Sequence, residues 1–278
     1  MSFTVISAAT SSERRLAYVV SRWSGHPRND HRLLFVTDGA GEEHLLKTAA
    51  YPLGWTPRGV ITAGVAWSHV ELRVWRADGR PVAPTRTMRV SASIWDWSTN
   101  RFYAISHGRV IRSDGISATS LARVQSLGFA GPSLVFLSSL GNGLIEVSST
   151  SRLVLLDAAG RTRFRAKLPR GWRLGGSIAA ERDGTVAYEA VPSTKQAARH
   201  FRLYAALPGG RPRLLDRYDV APACVPHSLQ LRGSAVLLYA SDGFARLYDA
   251  RVSSAPADLA PAMRWLRARH RTGQPSFA

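Results

Sequence analysis

The chain has 278 residues, 45% hydrophobic and 20% charged, a balance that excludes global disorder and supplies a sizeable core for one large domain or two ordinary ones. Its formal net charge is +18, and only three of its 37 basic residues are lysine (Lys47, Lys167 and Lys195), which leaves 34 arginines, scattered rather than blocked. The single cysteine, Cys224, excludes an internal disulfide and a cysteine metal cluster, and no apolar run approaches the ~18 residues of a membrane span.

The opening MSFTVISAATSSERR lacks the basic start and the long apolar stretch of a secretory signal. The reading is cytoplasmic by default, and extracytoplasmic if a start lies upstream. Residues 3–9 read as a strand, either the first of the first unit or the outermost of the last. From there one unit recurs along the chain. It has an early strand pair and then a short apolar strand that runs into a tight turn and a further strand. The early pairs are VISAATSSERRLAYVVS, LGWTPRGVITAGVAW, IWDWSTNRFYAIS, LGFAGPSLVFLSS, SIAAERDGTVAYEAV and SLQLRGSAVLLYAS. The late copies are RLLFVTDGAG, LRVWRADGRP, RVIRSDGIS, RLVLLDAAGRT, FRLYAALPGGRP and ARLYDAR. Residues 192–199, polar and irregular, are a long loop inside the fifth unit.

The late turns carry Gly39, Gly79, Gly115, Gly160 and Gly210, and the sixth turns near Ala250. Their spacings are 40, 36, 45, 50 and 40 residues, the period of a four-stranded propeller blade. Asp-Gly supplies the positive φ of a tight hairpin turn. Leu72 with Val74, and Leu153 with Leu155, alternate at the period of a strand packed on one face. A single four-stranded sheet with two apolar faces cannot bury itself, whereas sheets stacked radially cover one another. The expected fold is therefore all-β, a six-bladed β-propeller of four-stranded antiparallel sheets over residues 1–257. A short basic C-terminal helix and tail are expected over 258–278.

The repeat resembles the TolB-like and WD40-like six-bladed propellers over residues 3–255, carried by these copies and by the strands GVITA, RFYAIS and TVAYEA. The TolB-like pattern places Ser-Pro-Asp-Gly between the first two strands. Asp183-Gly184 keeps half of it, and Pro57-Arg58-Gly59 and Ser98-Thr99-Asn100 stand as substitutes. Trp95-Asp96 is the sole WD dipeptide, in an early strand rather than a late one. In the tail, Leu259, Met263 and Leu266 share one helical face, with Arg264, Arg267 and Arg271 on another and Pro261 in the first turn. Such a helix either caps the propeller or meets an anionic surface.

No phosphate loop, HExxH or CxxC occurs, and Gly175-Gly176-Ser177-Ile178-Ala179 lacks the last glycine of a nucleophile elbow. Of twelve aspartates, Asp38, Asp78, Asp114, Asp183 and Asp242 belong to Asp-Gly turns. Among the few carboxylates left for acid–base or metal work, Asp96, Glu71, Glu146 and Glu189 are the candidates, each expected to be a cross-strand or solvated charge. No catalytic residue, metal ligand or cofactor is therefore expected. The binding candidates are Trp95 and Trp97 on one strand face with Asp96 on the other, Trp55 at a similar place in the second unit, and His227 opening the equivalent strand of the last. The leading expectation is a non-catalytic scaffold, acting as a monomer, for a protein or peptide partner. A lactonase-like hydrolase with a divalent cation in the axial channel is what the six-bladed resemblance offers instead, although only Asn29, Asn100 and Asn142 could add amide ligands. The third expectation is arginine-mediated binding to an acidic polymer, an anionic surface or nucleic acid.

Overall fold

The computed structural model describes residues 2–11, 15–23, 31–37, 40–46, 50–66, 69–131, 135–193, 200–219, 227–240, 244–252 and 256–259. They form six four-stranded antiparallel sheets, each a simple meander in chain order. The first is β1 (Ser2–Thr10), β2 (Leu16–Trp23), β3 (His31–Thr37) and β4 (Glu43–Leu46). The second is β5 (Tyr51–Thr56), β6 (Gly59–Ala66), β7 (His69–Trp75) and β8 (Arg86–Arg89). The third is β9 (Ala92–Asp96), β10 (Arg101–Ser106), β11 (Arg109–Ser113) and β12 (Ala118–Arg123). The fourth is β13 (Phe136–Ser139), β14 (Leu144–Ser149), β15 (Arg152–Asp157) and β16 (Thr162–Lys167). The fifth is β17 (Trp172–Ala180), β18 (Val186–Pro192), β19 (His200–Ala206) and β20 (Arg213–Asp219). The sixth is β21 (His227–Arg232), β22 (Ala235–Ala240), β23 (Ala245–Asp249) and β24 (Ala257–Asp258). This is the all-β, six-bladed repeat that the spacing of the turns implies. The chain packs as two compact units, Met1–Gly141 and Asn142–Ala278.

The burial pattern explains the meander. Second strands are apolar on both faces: Phe102, Tyr103, Ala104 and Ile105 of β10 are all buried. Outer strands alternate, as in β16, where Phe164 and Ala166 are buried between exposed Thr162, Arg163, Arg165 and Lys167. Neighbouring sheets then share cores. In the first unit, Val19, Leu34 and Val36 of the first sheet pack with Trp55, Val60 and Trp75 of the second. Ile61, Ala63 and Leu72 of the second pack with Trp95, Phe102 and Ala104 of the third. In the second unit, Leu203 and Tyr218 of the fifth sheet pack with Val236, Leu238 and Tyr248 of the sixth. Each shared layer removes from water an apolar face that one sheet cannot cover alone.

Several details settle or correct the sequence reading. Residues 3–9 belong to β1, paired with β2 in the first sheet. The outermost place in the sixth sheet goes to β24, whose Asp258 lies opposite Arg246 and whose neighbour Leu259 donates its N–H to Ala245 O at 2.9 Å. Asp258 is thus a strand residue and not the start of a helix, because the open edge of β23 needs backbone partners. The rest of the expected helix, including Met263, Arg264, Leu266, Arg267 and Arg271, lies outside the described residues. In the fourth sheet the first strand is β13, not the LGFAG stretch. Gln125–Leu127 is a 3-10 turn closed by Gly128 at φ 90°, with Val124, Leu127 and Phe129 buried beneath it. Those apolar residues follow the period of a turn, which a strand reading mistakes for alternation. The late turns fall where expected, with Gly79, Gly115 and Gly160 at φ 77°, 87° and 82°. In the fifth sheet the positive φ belongs to Gly209 (68°), not to Gly210. Gly39 and Asp242 lie outside the described residues.

Candidate functional site

Four of the five binding candidates lie in the first unit, and of these it is Trp95 and Trp97 that are in contact. Trp55, on β5, is buried and its indole N–H donates to Ala9 O at 3.1 Å, joining the second sheet to the first. Trp95, on β9, lies directly against the backbone of Gly54. A Cβ at residue 54 would come within 2.4 Å of Trp95 Cζ2, so the ring occupies space that only a glycine leaves. Among the described residues, its Nε1 is buried without a hydrogen-bond partner. Trp97 follows in the β9–β10 turn, 59% exposed, and meets Trp95 edge-on with ring centroids 6.1 Å apart.

Asp96 points away from this pair and is buried. Its carboxylate accepts from Ser98 N at 3.2 Å, Ser98 Oγ at 2.9 Å, Thr99 Oγ1, and Ser139 Oγ at 2.7 Å. Ser139 sits on β13, so one carboxylate closes its own turn and ties the third sheet to the strand that follows. Burial pushes the Asp96 carboxyl up, but the bonds from Thr99, Ser139 and Ser98 outweigh it and hold the group below the usual aspartate value. His227 opens β21 opposite Ala240 in the second unit, and its side chain lies outside the described residues.

The other carboxylates read as candidates behave differently. Glu71 is exposed on β7. Glu146 is buried on β14 opposite Leu155, and its burial raises its pKa despite a bond with Ser148. Glu189 is buried on β18 and accepts a short hydrogen bond from the Tyr218 hydroxyl. Opposite it, β17 bulges: Leu174 pairs Ala190 and Ile178 pairs Tyr188, with Gly175, Gly176 and Ser177 between. This is where the elbow-like Gly-Gly-Ser run belongs, as a bulge with Gly175 against the Glu189 backbone. Asp216 accepts from Arg246 at 2.8 Å and from the Tyr248 hydroxyl at 2.7 Å. Among the described residues, no group of three or more His, Cys, Asp or Glu side chains is placed to hold a metal ion. None of the described helices is long and apolar enough to cross a membrane.

A different surface in the second unit gathers charge around an aromatic ring. On β17–β20, Trp172 pairs with Pro192, and His200 with Asp219. The adjacent row is Leu174, Ala190, Arg202 and Arg217. Cross-strand partners share a face, so these rows form one surface. Further along that face, Tyr188 stacks on Tyr204 and meets Phe164 of the fourth sheet, and Tyr188 and Phe164 are buried. The Trp172 end is left uncovered.

Two open hollows flank Trp172. One, of about 470 Å³, is bounded by Thr150, Ser151, Lys167 and Arg170; the other, of about 340 Å³, by His200, Arg202, Arg217 and Asp219. The Arg202 guanidinium carbon lies 3.8 Å from the centre of the Trp172 ring, a cation–π contact. His200 Nδ1 lies 2.6 Å from Asp219 Oδ1. The connection from β16 is a tight turn in which Trp172 N–H donates to Pro169 O at 3.1 Å, with Gly171 at φ 80°. That φ suits glycine at the third position of a type II turn. Leu168 N–H donates to Ser151 O (2.9 Å), Leu174 N–H to Thr150 O (3.1 Å) and Ser193 N–H to Gly171 O (2.8 Å), which fixes the turn on three sides.

No family model matches the chain, and no curated protein matches it. Among solved structures it is similar to a periplasmic gluconolactonase from Pseudomonas aeruginosa, at 15% identity over 91% of this chain and 83% of that one, TM-score 0.43. It is also similar to BamB from Moraxella catarrhalis (14% identity, 92% and 77%, TM-score 0.46) and to Hsv2 from Kluyveromyces lactis (7% identity, 89% and 93%, TM-score 0.46).

Proposed function

We propose that this chain is a non-catalytic binding scaffold for a protein partner, and that the Trp172 surface is its contact face. The observation that carries the reading is where the carboxylates are spent. Asp96, Glu189 and Asp216 are committed to internal hydroxyl and guanidinium donors. Acid–base chemistry needs a carboxylate within reach of a substrate proton, and each of these is instead a structural tie. The hollows beside Trp172 are lined by cations, an indole and peptide groups held on strand ends, the composition of a recognition surface.

The competing reading, a metal-dependent lactone hydrolase, is tested directly. Purified protein is titrated with calcium, magnesium, manganese and zinc by calorimetry, then assayed for hydrolysis of simple sugar lactones with each ion. The scaffold reading expects neither stoichiometric binding nor turnover above the uncatalysed rate. A one-to-one cation site with metal-dependent hydrolysis would replace it.

A further inference from the structure

We propose that the occupant of the Trp172 face is an acidic peptide segment of the partner, with glutamate or aspartate side chains reaching into the hollows on both sides of the indole. This rests on the scaffold reading and names its ligand.

The argument begins with a local conflict. Arg202 and Arg217 are directly opposite on adjacent strands, an arrangement that like charges disfavour. Among the described residues neither has a carboxylate partner, and the same holds for Lys167 and Arg170. The one carboxylate lining either hollow, Asp219, is bonded to His200. Elsewhere some cations are compensated, since Arg161 and Arg163 both contact Asp157 and Arg246 contacts Asp216, while Arg109 and Arg123 also face one another without a carboxylate among the described residues. What sets the Trp172 face apart is that two opposed pairs, Arg202 with Arg217 and Arg152 with Lys167, put cations on open hollows on either side of one indole, where a counter-charge from outside can reach them.

The indole selects among anions. Arg202 already occupies a face of the Trp172 ring, so that face is closed to a stacked base, which single-stranded nucleic acid would use. Held against the ring, the guanidinium loses little freedom when a carboxylate arrives, and its planar fork matches one. Hollows of about 470 and 340 Å³ admit side chains rather than a duplex. The turn beneath is fixed by three backbone hydrogen bonds, so the backbone that carries Arg170 and Trp172 is already in place.

The test uses the full chain and a short fluorescein-labelled Glu-rich peptide, followed by anisotropy, beside an uncharged Gln-rich peptide and a single-stranded oligonucleotide of equal charge. The expected result is saturable binding of the Glu peptide that weakens with salt and no binding of the Gln peptide. Trp172→Ala, Arg202→Gln and Arg217→Glu are each expected to weaken binding about tenfold or more. Arg217→Lys is expected to keep most of it, and urea midpoints of the variants do not fall below the parent's, separating lost contact from lost fold. No binding of the Glu peptide would overturn the proposal. So would equal losses from Arg89→Glu on β8 of the first unit, which would make the attraction a diffuse charge effect, or tighter binding of the oligonucleotide through the same residues. The scaffold reading falls only on the metal and lactone assays, so the two failures are distinguishable.

Discussion

Trp95 and Trp172 both stand on the first strand of a four-stranded sheet, yet one is sealed and the other is offered. Trp95 is 6% exposed and pressed against Gly54 in the preceding sheet, with the hydroxyl-bonded Asp96 beside it in sequence. Trp172 is half-buried, carries Arg202 over its ring and separates two open hollows. Position along the strand accounts for the contrast. Trp95 is the fourth of the five residues of β9, where the second sheet still covers it. Trp172 is the first residue of β17, past the point where Phe164 covers Tyr188. A tryptophan covered by a neighbouring sheet serves stability, and one left at an uncovered strand end is available for recognition. Density of aromatic residues in the sequence does not separate these cases.

The sharpest way to break the comparison is to attack the sealed region. Asp96→Ala strands the Ser98, Thr99 and Ser139 donors at once. The expected loss is about 2–4 kcal/mol, since each hydrogen bond to a charged group contributes roughly 1.5–3 kcal/mol and the three are not additive. It is read as a lower urea midpoint with an unchanged slope. The pH dependence follows the same group. Its folded pKa lies below the unfolded value near 3.8, so its contribution is complete above that value and is lost as pH falls through the folded one. Acid titration of stability should therefore flatten in the Asp96→Asn variant. Next in size, Gly54→Ala drives a methyl into the Trp95 ring and should cost about 1–3 kcal/mol as overpacking, leaving peptide binding at the Trp172 face unchanged.

These expectations show what the sequence carried and what it did not. The sheets were legible because five of the six late turns carry a glycine, Asp-Gly in three of them, and the strands alternate, and Gly79, Gly115 and Gly160 do hold a positive φ. The fourth sheet was misread at Leu127 because a buried 3-10 turn and a strand end share one composition. Trp95, Asp96 and Trp97 stood out as a cluster; the Ser98 and Thr99 bonds to Asp96 are local, but the tie to Ser139 lies 43 residues away, and no local pattern announces that bond. Trp172 was missed for the mirror reason. Arg202, over its ring, and Arg217, lining the same hollow, lie on two other strands, and only the register of β17 to β20 brings them together. One signal was present, an arginine in HFRL and another in LDRY at matching places of two strands that were expected to pair.

Glu146 gives a test of opposite sign from Asp96. Burial raises its pKa above the ordinary glutamate value of 4.5, so the folded chain holds the proton after the unfolded chain has lost it. Its contribution is fully present below that value and declines as pH rises through the folded pKa. Glu146→Gln fixes the neutral form. Its stability should match the parent in acid and exceed it at neutral pH, and a parent-like decline in the variant would assign the slope to another group.

The smallest expected effect is the most discriminating. Arg217→Glu replaces a directly opposed like-charge pair, Arg202 and Arg217, with an opposite-charge pair on adjacent strands. Cross-strand charge pairs contribute about 0.2–1 kcal/mol, so the variant should be slightly more stable than the parent. Retaining two facing cations beside an indole makes sense where a ligand supplies the missing charge, and then the substitution that helps the fold must damage the binding. The two measurements, thermal midpoint and peptide anisotropy on one variant, are expected to move in opposite directions. If both fall, Arg217 is part of the packing after all, and the Trp172 end is a second sealed region that resembles the first.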